Sequence, residues 1–288
     1  MLSRYLEILR DVYDAGEARA VFYRLMEDRF GLSRTDVCLG ALNNLTAEQV
    51  SLLDADLKRL AEGEPVQYVV GYEKFHNITL HVEPGVLIPR PETEELVDWI
   101  VEDVRNLRPH ASRSEMNVTL PSILDIGCGS GAIAVSLALE LKADVTAWDV
   151  SETALRVTRD NARAQFASVN VVRQDALQPP VSDTALWDVI VSNPPYVCDS
   201  ESAAMQPQVK DHEPHLALFV PDADPLLFYR AIATYAVHAL KPSGSLYFEI
   251  NERFGEETTA LLRSLGFADI ILCQDQFGKA RMIRAILP

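Results

Sequence analysis

Apolar positions in the first quarter of the chain recur at helical spacing. Leu2, Leu6 and Leu9 form one stripe, and Val21, Leu25 and Met26 another. Ser33 ahead of Asp36 reads as a helix start. Thr46-Ala47-Glu48-Gln49 is a capping box before Val50, Leu53 and Leu57, and Gly63 and Pro65 end that helix. The spacing therefore predicts a helical domain over residues 1–72. The pattern changes over residues 72–89. Phe75, Ile78, Leu80, Val82 and Val86-Leu87-Ile88 are spaced like short strands, with Pro84-Gly85 as a turn. We expect a β-hairpin linker over 73–90 and a third region over 91–288.

Pro91 stands where a helix begins, with Glu92, Glu94 and Glu95 at its positive end and Leu96, Ile100 and Val104 as its buried stripe. Residues 109–121 are polar and read as an exposed loop. Strand-like and helix-like segments then alternate. Strands are predicted at 123–126, 144–149, 169–174, 188–192 and 245–250. Helices are predicted at 132–141, 152–166, 225–240 and 254–265. Residues 268–273 and 281–287 can close the sheet as a final pair. Such alternation implies an α/β, Rossmann-like sheet, mostly parallel with an antiparallel final strand and covered on both faces.

Composition narrows the partners. The chain has 288 residues and a formal net charge of -16. Gripping nucleic acid needs a basic patch, so a nucleic-acid substrate is disfavoured and basic partners are favoured. Cys38, Cys128, Cys198 and Cys273 are scattered without zinc spacing and read as reduced thiols. Residues 1–10 lack the apolar core of a signal peptide, and no apolar run approaches the roughly 20 residues of a spanning helix. A soluble, cytoplasmic protein, a monomer without membrane contact, is expected.

Two constellations carry chemistry. Gly127-Cys128-Gly129-Ser130-Gly131 lies between a predicted strand and a predicted helix. Glycines there allow a tight turn and a ligand's close approach to the backbone. Asp149 ends the next strand, placed to accept both ribose hydroxyls of an adenosine. The Asp175 carboxylate, or the Ala176 backbone, can read the adenine amine. Asp125 reads as a support for the loop. With Ala132, the glycines also satisfy a dinucleotide fingerprint, so nicotinamide binding competes at this point.

The second constellation is Asn193-Pro194-Pro195-Tyr196, directly after a predicted strand. Adjacent prolines fix the backbone and remove two N–H donors. The Pro194 carbonyl and the Asn193 amide oxygen can then accept both hydrogens of an –NH2 group, with Tyr196 stacked on its plane. Such an arrangement suits sulfonium methyl transfer, in which alignment is the main contribution. No metal is expected. His212 and His215, beside Asp211 and Glu213, lack a third well-spaced ligand.

With these residues in place, the chain resembles the release-factor glutamine methyltransferases over nearly its whole length. Val86-Leu87-Ile88-Pro89-Arg90-Pro91-Glu92-Thr93-Glu94 matches the family's segment between its helical and catalytic domains. The glycine loop, Asp149 and Asn193 to Tyr196 follow in order. Glu213-Pro214 with Leu216-Ala217-Leu218 is similar to the stretch after the catalytic motif. The resemblance implies a methyltransferase sheet, S-adenosylmethionine as methyl donor and S-adenosylhomocysteine as product. It implies as substrate the glutamine of the Gly-Gly-Gln loop of bacterial peptide chain release factors, docked in part by the N-terminal helices. Asn193 would touch cofactor and substrate, and Arg90 is either a salt-bridge residue or a substrate contact. Three alternatives stand beside this reading, one of them a non-enzymatic adaptor with a decayed site, which the intact matched positions disfavour. An adenine-amine methyltransferase shares the motif but needs a basic cleft. A nicotinamide oxidoreductase leaves Asn193 to Tyr196 without a task.

Overall fold

The computed structural model describes residues 2–107 and 120–288, so the expected polar loop over 109–121 lies mostly outside the described residues. These residues divide into two compact units. The first comprises Met1–Tyr72, Val82–Pro84 and Met205–Glu213. Its helices within residues 2–72 are α1 (Leu2–Ile8), α2 (Ala15–Phe30), α3 (Arg34–Cys38), α4 (Ala47–Ala61) and α5 (Val66–Val70). The capping signals work as the sequence implies. Ser33 and Asp36 bond each other's backbone at the start of α3, and Thr46 and Gln49 do so at α4. Each such cap contributes about 1 kcal/mol. Phe22, Leu25, Met26, Leu53, Leu57 and Leu60 form the centre of its core. Five-residue α5 is too short to persist alone. Arg29 and Arg59 hold its end by donating to the Val69 carbonyl, and both are themselves fixed by Asp56 and Glu64.

The second unit comprises Glu73–His81, Gly85–Ala204 and Pro214–Pro288. A two-stranded ribbon joins β1 (Tyr72–Phe75) to β2 (Ile78–His81). Val86-Leu87-Ile88 is not a strand, which corrects the sequence expectation. Pro84, Pro89 and Pro91 bracket it, and proline cannot donate to a ladder. Alternation there reflects burial of Val86 and Ile88 in an irregular connector.

The main sheet has seven strands. They are β3 (Ser122–Ile126), β4 (Asp144–Asp149), β5 (Val169–Arg173), β6 (Trp187–Ser192), β9 (Leu240–Glu249), β10 (Ala268–Gln274) and β11 (Ala280–Ile286). A separate parallel pair joins β7 (Val197–Cys198) and β8 (Phe219–Val220). The sheet order is β10-β11-β9-β6-β3-β4-β5, with β11 antiparallel to both its neighbours and the other pairings parallel. Helices α6 (Pro91–Leu107) and α7 (Ala132–Leu141) pack on one face, and α9 (Leu227–Ala239) and α10 (Gly255–Ser264) on the other. Between α7 and α9 the chain forms α8 (Glu152–Ala164). Central β3 is buried on both faces, so it reads as a continuous apolar run with one acid, Asp125.

Register places the site. Ile126 pairs with Trp148 and with Ser192, and Ser192 pairs with Phe248. The next residue on each strand is therefore Gly127, Asp149, Asn193 and Glu249. Four strands thus deliver four chemically distinct residues in one row at their carboxyl ends. The chain order reverses between β3 and β6, and ligands of open α/β sheets bind at such a point.

Candidate active site

A cleft of about 1100 Å³, counting its open mouth, lies at this row. Its walls include Gly127, Cys128, Gly129 and Ser130 of the glycine loop. The loop folds back on the neighbouring strand, with the Gly127 and Cys128 N–H groups donating to the Trp148 carbonyl at 2.8 and 2.9 Å. Gly131 begins α7 at φ 83°, where a Cβ would approach Thr158 Cγ2 to 3.0 Å. Only glycine meets both conditions. Two polar residues of α8 brace the loop. Thr158 donates to the Gly129 carbonyl at 3.0 Å, and Asn161 donates to the Ser130 carbonyl at 2.8 Å.

Asp149 lines the cleft beside the loop. Its Oδ2 accepts from Gly129 N–H at 3.0 Å and its Oδ1 from Ser151 N–H at 2.9 Å. Each carboxylate oxygen keeps a further lone pair for a ligand. Burial pushes its pKa up, and the backbone N–H groups oppose that shift. Val150, Ala154, Ile133 and Ala176 supply apolar wall next to it. Asp175 also lines the cleft, but its oxygens accept from Leu177 N–H at 2.8 Å and Gln178 Nε2 at 3.2 Å. It closes its own turn.

Asp125 is fully buried two residues before the loop. Its Oδ2 accepts from Ala134 N–H at 3.1 Å in the first turn of α7, and its Oδ1 has no partner among the described residues. Burial raises its pKa to about 7, with the nearby Asp149 charge adding to the shift. A carboxyl raised in the folded state binds its proton more tightly there than in the unfolded chain. Its contribution to stability is complete below the unfolded value near 4 and is lost as pH rises through about 7. That contribution is on the order of 4 kcal/mol. The melting temperature should therefore fall between pH 5.5 and pH 8, and Asp125→Asn should flatten that fall. Equal pH slopes for the two proteins would show that Asp125 does not titrate in this range.

Asn193, Pro194 and Pro195 form the facing wall. Asn193 Nδ2 donates to Thr93 Oγ1 at 3.3 Å. Thr93 donates to Glu249 Oε2 at 2.6 Å, and the Tyr196 hydroxyl donates to Glu249 Oε1 at 3.0 Å. Among the described residues no hydrogen bond reaches Asn193 Oδ1 or the Pro194 carbonyl, so both acceptors are available to a ligand. Tyr196 is placed differently from the sequence expectation. Its ring packs into the apolar cluster with Tyr229 and Phe248 and does not line the cleft. An amphipathic ring beside a buried carboxylate satisfies its hydroxyl there instead of presenting its face. Asn251 Nδ2 holds the Tyr196 carbonyl at 3.1 Å and Glu201 at 2.9 Å, which pins the motif's end.

The cleft thus joins Gly127, Cys128, Gly129, Ser130, Asp149, Asp175, Ala176, Asn193, Pro194 and Pro195 with Arg90. Gly131 and Tyr196 stand outside its lining. Pro214, Leu216 and Ala217, noted only through resemblance, also line it. The sequence reading gave no individual role to Thr93, Thr158, Asn161 or Glu249. A signal existed for three of them. Glu249 is an acid inside the apolar run Leu246 to Ile250, and Thr158 and Asn161 lie on the buried face of α8. Polar residues at such positions must find partners.

The family model "Methyltransferase small domain" matches residues 113–217, and "PrmC N-terminal domain" matches residues 1–71. A release factor glutamine methyltransferase of Bacteroides thetaiotaomicron is 42% identical over 278 residues, covering 96% of this chain and 95% of the relative. Relatives of the same name from Flavobacterium psychrophilum and Streptococcus pneumoniae are 39% and 38% identical, each covering 98% of this chain and 96% of the relative. With two-domain matches and similarity along nearly its full length, the chain belongs to the release factor glutamine methyltransferase family.

Proposed function

We propose that this protein methylates the side-chain amide nitrogen of a glutamine in a bacterial peptide chain release factor. The target is the glutamine of the Gly-Gly-Gln loop and the product N(5)-methylglutamine. S-adenosylmethionine would supply an electrophilic methyl group on a sulfonium centre, its S–CH3 bond breaking to give S-adenosylhomocysteine as the N–CH3 bond forms, and one N–H proton of the amide is released to solvent. The observation that carries this reading is the row of Gly127, Asp149 and Asn193 along one cleft, in a chain of this family.

The residues fit such a donor. Gly127 to Ser130 give backbone close approach, Asp149 offers two acceptors suited to ribose hydroxyls, and Val150 and Ala176 give apolar wall for a base. Asn193 Oδ1 and the Pro194 carbonyl take the two amide hydrogens and hold the nitrogen's lone pair toward the donor. The nitrogen gains positive character as it is alkylated, so two fixed acceptors stabilise the transition state as well as orient it. Glu249 and Asn251 anchor Tyr196, which keeps the Pro194-Pro195 backbone in place. Arg90 supports the cleft wall. Residues 1–72 serve as a docking domain, residues 73–90 as a linker, and residues 91–288 as the catalytic domain.

The release factor is approached as a protein, with no nucleic-acid substrate. A net charge of -16 repels phosphate and attracts basic surface. Among the described residues no helix is long and apolar enough to cross a membrane. We take the protein to act in the cytoplasm as a monomer. A mass-spectrometric assay with purified release factor, duplex DNA and labelled cofactor tests the reading. Label is expected on the glutamine, and label on DNA alone would overturn the substrate assignment.

A further inference from the structure

We propose that Thr93 and Glu249 are positioning residues that decide which end of the Asn193 amide faces the reacting nitrogen. This deepens the glutamine-amide reading and rests on it. A carboxamide is nearly symmetric in shape, so its two orientations differ mainly in where the oxygen and the NH2 lie. Only the oxygen can accept an N–H from the substrate. The flipped amide would set donor against donor at the reacting atom. Asn193 is half-buried at the cleft wall, and its own backbone does not choose between the two.

The choice is made behind it. Glu249 is 1% exposed at the end of β9. Its two oxygens accept from two hydroxyls, Thr93 at 2.6 Å and Tyr196 at 3.0 Å. Burial pushes its carboxyl up, and the Thr93 and Tyr196 hydroxyls and the Arg281 guanidinium oppose that shift. With a hydroxyl donating to each of its oxygens, Glu249 acts toward Thr93 as an acceptor. A hydroxyl has one proton, and that of Thr93 is committed to Glu249. Toward Asn193, Thr93 Oγ1 therefore presents lone pairs only. The group it meets at 3.3 Å must be the NH2, which leaves Oδ1 for the substrate. Donation runs one way, from Asn193 to Thr93 to Glu249. The three residues come from the loop after β6, the first turn of α6 and the end of β9, so no local preference produces this alignment.

Thr93→Val keeps the side-chain shape and removes the hydroxyl, and Thr93→Ser keeps the hydroxyl. For Thr93→Val on release factor, kcat is expected to fall on the order of 10²-fold, since misorientation of a reacting group costs about that much. Cofactor affinity by calorimetry should stay within about 2-fold, because the cofactor's own contacts are untouched. Thr93→Ser should recover most of kcat. Wild-type turnover in Thr93→Val overturns the relay while leaving the substrate reading intact. A Thr93→Ser variant as slow as Thr93→Val also overturns it, since packing of the methyl group would then explain the loss. If the valine protein does not fold, Thr93→Ala, which also removes the hydroxyl, takes its place in both comparisons. A wild-type protein that leaves the release-factor glutamine unmodified sinks the substrate reading and the relay with it.

Discussion

Asn193→Ala should lower kcat for glutamine methylation on the order of 10²–10³-fold. That is the usual cost of deleting one preorganised group at a charge-developing atom, about 3–4 kcal/mol. The effect is large because, among the described residues, Oδ1 accepts no hydrogen bond from the protein and, in the proposed reaction, holds the attacking nitrogen itself. The loss should lie in kcat. Asp149 and the glycine loop remain, so S-adenosylmethionine should bind with little change. Stability should also change little. Among the described residues, the side-chain bond lost is the 3.3 Å one to Thr93, worth about 1 kcal/mol, and Thr93 keeps its shorter bond to Glu249. Single-turnover kinetics with calorimetry on the same sample separate these terms. Near-normal turnover would remove Asn193 from the role of orienting the nitrogen.

Asp149→Ala should act on the other substrate. Its carboxylate is expected to accept two ribose hydroxyls, and hydrogen bonds to a charged acceptor are worth about 1.5–3 kcal/mol each. It also ties Gly129 N–H and Ser151 N–H together, so the glycine loop loses a brace in the same change. Cofactor affinity should fall on the order of 10²-fold or more. At saturating cofactor, kcat should recover far better than in Asn193→Ala, because nothing at the reacting nitrogen has changed. Unchanged affinity by calorimetry would contradict the ribose assignment. The two variants thus separate binding of the donor from orientation of the acceptor.

Much of this molecule was legible before its structure. Central strands were visible because burial on both faces makes them uninterrupted apolar runs. Helix starts at Ser33, Thr46 and Pro91 were visible because caps are local chemistry. The connector Val86 to Ile88 misled because alternation reports burial, and burial occurs without a sheet. The left-handed turn at His76, φ 51°, had no glycine or proline to announce it.

By itself, the sequence determined the order of the main sheet's strands and their covering helices, and the two chemical motifs that follow strand ends. These follow from local propensity and periodicity, which depend on neighbours in the chain. Only the tertiary structure decided how the motifs meet. It set Thr93 and Glu249, 156 residues apart in the chain, 2.6 Å from each other. It turned Tyr196 away from the cleft and set Asn193 in the cleft wall with its Nδ2 on Thr93. Those outcomes depend on strand register and on hydrogen-bond directions among buried groups. Both are resolved only when distant segments share one low-dielectric space and each polar atom must find a partner.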